Sequence, residues 1–201
     1  GKSYKNKYFR LESDIKLSSS WEPLGTLKER ADKPGNGTNI LPFSGILDGN
    51  GHTLTFSKGS KPLFGYVRDA KVENLNIYGE YIDGYGLVEN YVVDYGKDGK
   101  NWTDDDPKAV ITAEKVTIKS GTRIHQSGFL GGYASGIDHA DFTNCTIEQG
   151  VTIGCNIDGT SAGLSNIGSF GGALNGTIKN CVSYATVYGD SNVGGIAGIR
   201  G

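Results

Sequence analysis

Apolar and polar residues alternate along this chain in short runs, punctuated by clusters of Gly, Asn and Asp. Residues 52–57 (HTLTFS), 71–79 (KVENLNIYG), 109–121 (AVITAEKVTIKSG) and 176–189 (GTIKNCVSYATVYG) are rich in Val, Ile, Thr, Tyr and Phe. That content, broken by turn residues, is the grammar of strands. Helical periodicity is nearly absent. Residues 25–31 (GTLKERA) alone are expected to hold a helical turn. The pattern predicts an all-β chain.

Three segments repeat one another: Val72-Glu73-Asn74-Leu75-Asn76-Ile77, Phe142-Thr143-Asn144-Cys145-Thr146-Ile147 and Ile178-Lys179-Asn180-Cys181-Val182-Ser183. Each has an apolar residue two before an Asn and another directly after it. Alternation breaks at the Asn, and a bend there lets the residues on both sides point inward. Asn tolerates the left-handed conformation such a bend needs. Units this short cannot bury a face alone and must stack. Stacking predicts a parallel β-helix, with Asn74, Asn144 and Asn180 in a ladder of amide hydrogen bonds. Leu75, Cys145 and Cys181 then form one interior column, and Val72, Phe142 and Ile178 another. A β-sandwich is the competing architecture, but its hairpins give no reason for an Asn at one place in each repeat.

Composition narrows the function. Glycine supplies 32 of 201 residues, about twice its usual share of roughly 7%, which suits tight turns and close backbone approach. With 20 Lys and Arg against 22 Asp and Glu, nothing in the charge calls for nucleic acid as a partner. No apolar run is long enough for a helical membrane span, so no membrane insertion is expected. Cys145, Cys155 and Cys181 lack metal-ligand spacing and are expected as small core residues, with no metal. The chain has no Met, opens at Gly1 without a leader, and stops at Gly201 inside a repeat-like tail. It reads as one domain, 1–201, cut from a longer protein and monomeric as a fragment. Residues 1–40, with Trp21, form a capping region, and residues 41–201 form the coils.

Several motifs together resemble bacterial surface proteins that carry GLUG repeats. YFRLESDIKL from Tyr8 and WEPLG at 21–25 resemble their opening strands. PFSGILDGNGHTL at 42–54 matches their F-x-G-x-x-D-G-x-G-H-x-I signature through Phe43, Gly45, Asp48, Gly49, Gly51 and His52. PLFGYVRDAKVENLNI at 62–77 and NVGGIAG at 192–198 match later steps. The resemblance leaves a gap at about 80–125. It implies a right-handed parallel β-helix on secreted or wall-attached proteins, including adhesins and the non-catalytic N-terminal regions of immunoglobulin-cleaving metalloproteases. The implied function is an adhesive or structural stalk module at the bacterial cell surface or outside it. The implied partners are glycans, a host glycoprotein or an immunoglobulin.

Chemistry is sparse. His52, His125 and His139 show no zinc spacing and there is no HExxH. Asp48 is expected to hydrogen-bond the backbone of its glycine turn, and His52 to cap or pack at a coil edge. The alternative function is a degenerate or partial polysaccharide-cleaving enzyme on the same fold. Asn156-Ile157-Asp158-Gly159 resembles a pectin-hydrolase step, with Arg200 as a later basic residue. The paired aspartates and the Gly-His-Gly step between are missing, so no catalytic residue is assigned. Residues 91–108 stand apart as an irregular excursion. Tyr91, Tyr95 and Trp102 could stack on a ligand, and Asp104, Asp105 and Asp106 could accept its hydrogen bonds. No cofactor is expected. As a calcium loop, Asp94, Asp98, Gly99 and Asp105 would occupy positions 1, 5, 6 and 12, but Gly96 offers no ligand at position 3.

Overall fold

The computed structural model describes residues 4–29, 38–91, 110–130 and 139–200. Those residues form strands and turns without a helix, and nearly all their strand pairs run parallel. One strand pair is antiparallel: Thr26–Glu29 with Thr38–Leu41. It corrects the expected helical turn at 25–31. A segment that short cannot recover the cost of nucleating a helix, whereas a facing strand satisfies its backbone immediately.

Strands Ile46–Asp48, Ala70–Gly79, Ile111–Ile118, His139–Thr143 and Gly171–Lys179 lie side by side in that order. Parallel neighbours need long connections, and the register shows what those connections achieve. Leu47, Val72, Ala113, Phe142 and Ile178 fall in one column. Leu75 pairs with Val116, and Cys145 and Cys181 continue that column. Ile77, Ile118, Ile147 and Ser183 make a third. Val72, Leu75, Phe142 and Cys145 are buried as expected; Ile178 and Cys181, in the last repeat, are half-buried.

Between the first two columns the backbone turns left-handed in the last four of these repeats, at Asn74 (φ 51°), Lys115 (52°), Asn144 (55°) and Asn180 (53°). The three Asn occupy equivalent bends, as their shared spacing predicts. A fourth repeat, Ala113-Glu114-Lys115-Val116-Thr117-Ile118, lies between the first and second. The expected amide ladder is absent: Lys115 interrupts it, neighbouring Asn144 and Asn180 do not bond side chain to side chain, and Asn74 donates instead to Asp48 Oδ1 at 3.1 Å. Another pair forms such a link: Asn192, also left-handed, donates to left-handed Asn166 at 2.8 Å.

Two further sets of parallel contacts accompany the first. One runs Ser60, Ile82, Ile124, Ile153, Val187. The other runs Leu24, Phe64, Val88, Leu130, Gly171, Ala197. Side chains from all three sets fill one core. Phe129 stacks on Phe170 at 5.2 Å, and Phe142 packs against both at 5.4 and 5.3 Å. Each such ring contributes about 1.5–3 kcal/mol by leaving water. The tight approach of adjacent strands dictates glycine at Gly86 and Gly128. A Cβ on Gly86 would run into the Gly128 carbonyl oxygen, and one on Gly128 into that of Ser169.

Candidate functional site

Inward columns leave every second residue facing solvent, and on the face built by Thr53–Phe56, Ala70–Gly79 and Ile111–Ile118 those residues are polar. Thr53, Asn76, Thr117 and Thr146 form one outward column. Thr55 lies beside Tyr78 in the next. Two adjoining depressions open on this face, each of about 380 Å³. Asp48, Asn50, Gly51, Asn74, Asn76 and Lys115 line the first. The second is lined by Asp14, Thr53, Thr55, Tyr78, Lys119, Ser120 and Glu148.

Asp48 anchors the first depression and is only 8% exposed. Its Oδ2 accepts the Tyr8 hydroxyl at 2.5 Å, and its Oδ1 accepts the Asn50 backbone N–H at 2.8 Å and the Asn74 amide. The Asn50 bond is the turn contact expected of Asp48. The Tyr8 hydroxyl, then the Asn50 N–H, hold its carboxyl below the usual range. Asn76 donates to the Gly51 carbonyl at 2.8 Å, which leaves its own carbonyl oxygen unbonded among the described residues. Gly49 precedes this turn because a Cβ there would sit 2.6 Å from the Leu75 Cα.

In the second depression Lys119 donates to Glu148, which also accepts the Ser120 N–H at 2.9 Å. Asp14 accepts the Thr53 N–H at 2.9 Å and faces His52 Nδ1 at 3.2 Å. That contact fixes His52 at the edge of its turn. The Lys119 bond chiefly lowers the Glu148 pKa, and the Thr53 N–H that of Asp14.

The remaining candidates are dispersed. Asp158 closes a turn on itself, accepting the Thr160 hydroxyl at 2.6 Å and its N–H at 3.0 Å, and these bonds lower its pKa. Tyr91 is half-buried at the end of the strand Val88–Tyr91. Tyr95, Trp102, Asp104, Asp105 and Asp106 lie outside the described residues, as do Asp94 and Asp98 of the calcium-loop reading. Cys145 and Cys155 are buried and all three cysteines are free. Among the described residues no three His, Cys, Asp or Glu side chains gather as a metal cage, and no helix is long and apolar enough to cross a membrane.

The groove itself was not singled out from sequence. Asn76 and Tyr78 stand at outward positions of a strand that was recognised. Lys115 was hidden because it replaces the Asn that marks the repeat, although the apolar spacing of Ala113, Val116 and Ile118 matches. No family model matches the chain, and no curated protein or solved structure is found similar to it.

Proposed function

We propose that this chain is part of a right-handed parallel β-helix serving as a non-catalytic adhesive module of a bacterial surface protein, with the outer groove as its glycan-binding face. The stacked register supports the solenoid, and parallel crossovers of this kind are right-handed in nearly all proteins. The GLUG-like motifs support the surface setting. The observation that carries the binding reading is the groove: amides and hydroxyls of Asn74, Asn76, Thr53, Thr55 and Ser120 beside the Tyr78 ring, on rigid strands. Sugars are held by such combinations of hydrogen bonds and aromatic faces.

The groove carboxylates argue against the polysaccharide-cleaving alternative. A glycosidase needs one carboxyl held protonated as general acid. Asp14, Asp48 and Glu148 are all shifted the other way, toward the ionised form. Each is already committed to neighbouring donors.

A glycan array probed with the purified protein tests this reading. Binding is expected, and Tyr78→Ala and Asn76→Ala should each weaken it about tenfold, the effect of losing roughly 1.4 kcal/mol of contact. Absence of any bound glycan, or full binding by both variants, would overturn it. Release of reducing ends from a bound polysaccharide would restore the enzyme reading.

A further inference from the structure

Lys115 is the anomaly of the groove. Asn fills the other three described left-handed bends of its column, and Lys gains nothing there from a side chain suited to the bend. Backbone strain retained at a cleft is an observation from which function can be sought. Lys115 is exposed and lines the first depression. Among the described residues its ammonium makes no hydrogen bond or ion pair. Nearby Lys71, by contrast, is neutralised by Glu73 at 2.7 Å and Glu114 at 3.4 Å.

The surrounding groups are matched to a charged sugar. Asp48 forms no ion pair with Lys115: it is buried, and Tyr8, Asn50 and Asn74 donate to its oxygens. Asn74 and Asn76 each spend one amide hydrogen, on Asp48 and Gly51, so each keeps a carbonyl oxygen and a second amide hydrogen for hydroxyls. The site therefore offers one exposed cationic donor and two neutral amides, while the Asp48 charge lies buried beneath them. An anionic group bearing adjacent hydroxyls satisfies all of these, and it gives the ammonium an ion-paired bond stronger than the one a neutral hydroxyl supplies.

We infer that the first depression selects acidic saccharides, with Lys115 engaging the anionic group of the sugar. The inference rests on the glycan-binding reading above and narrows its ligand to one chemical class. A carboxylate and a sulfate ester share the required chemistry.

Calorimetric titration with three probes tests it: hyaluronan oligosaccharides, which carry carboxylates alone; keratan sulfate oligosaccharides, which carry sulfates alone; and carboxyl-reduced hyaluronan, which is neutral. At least one acidic probe is expected to bind about tenfold or more tightly than the neutral one, a gap that shrinks as added salt screens the contact. Lys115→Asn and Lys115→Gln should abolish the gap, Lys115→Arg should keep it, and Lys179→Gln, on an exposed lysine away from the groove, should leave it unchanged. Asn already serves this bend in neighbouring strands, so the Asn variant is expected to fold. If Lys115→Asn keeps the acidic preference, or the neutral probe binds as tightly as both acidic ones, the inference fails. In the second case, loss of neutral binding in Tyr78→Ala would leave the broader glycan reading standing. If none of the three probes binds, the inference fails, and the glycan array then decides the broader reading.

Discussion

Replacing Lys115 by Asn should stabilise the protein, although it removes a lysine from the surface and adds no contact. The bend holds Lys115 at φ 52°, where an L-residue with an ordinary side chain loses roughly 1–2 kcal/mol. Asn is several-fold enriched in that region, so Lys115→Asn should recover about 1 kcal/mol. Lys115→Gly relieves more strain, but it also loosens the unfolded chain by about 0.5–1 kcal/mol, and its net gain should be smaller. Lys115→Gln removes the charge without relieving the bend and should be nearly neutral. Lys115→Val, β-branched and ill-suited to positive φ, should lose about 1 kcal/mol. In a domain of this size, 1 kcal/mol moves the midpoint by about 2–4 °C. Thermal melts and urea titrations of the four variants together are the assay. The order Asn, Gly, Gln, Val from most to least stable supports a strained bend. If Asn, Gln and Val variants melt together, the backbone at Lys115 carries no strain and the argument from it is refuted.

The cysteines and Asp48 provide two further tests. Burial pushes the Cys145 thiol up to about 12. Its thiolate fraction near pH 8 is then about 10⁻⁴, against about a quarter for a free cysteine, so native labelling should be some three orders slower. Half-buried Cys181 should react first, with Cys145 and Cys155 following only as the protein unfolds; fast native labelling of Cys145 would contradict the interior column. The folded pKa of Asp48 is depressed, so its stabilising contribution is complete above the unfolded value of about 3.9 and is lost as pH falls through the folded one. Asp48→Asn should therefore be less stable than the parent near neutrality, with the two urea midpoints converging below about pH 4. Parallel midpoint curves across that range would show that the Asp48 charge contributes nothing.

The interior was legible because its constraints are periodic. Val72, Phe142 and Ile178 share a column for the same reason that they share a sequence position: one register serves every strand. The left-handed bends at Asn74, Asn144 and Asn180 were legible because the repeat marks them, whereas those at Asn50, Asn166 and Asn192 stand outside that pattern. Lys115 escaped because a residue with no preference for the bend occupies it; the expected amide ladder failed there and also between Asn144 and Asn180, whose side chains do not bond to each other. The helical turn expected at 25–31 was decided by pairing partners distant in sequence, Thr38 to Leu41, which local periodicity does not reveal. Asp48 announced itself through its glycine turn, but the Tyr8 hydroxyl that completes its shell comes from another strand, forty residues away.

Outward positions carry no such packing constraint, and recognition is therefore hard to read in a fold of parallel strands. A residue facing inward must match the column above and below it, whereas Asn76 or Tyr78 can change without disturbing the core. Lys115 belongs to both regimes. Its backbone is dictated by the interior columns on either side, Ala113 and Val116, while its side chain is exposed to solvent. Selection for folding alone would favour Asn at that point, as at 74, 144 and 180. The two measurements on Lys115→Asn therefore have to be read together. Higher stability with lost acidic preference means that the strain is retained for recognition. Higher stability with the preference intact would make the lysine a tolerated defect, and the charge that selects the ligand would have to be sought elsewhere on the groove.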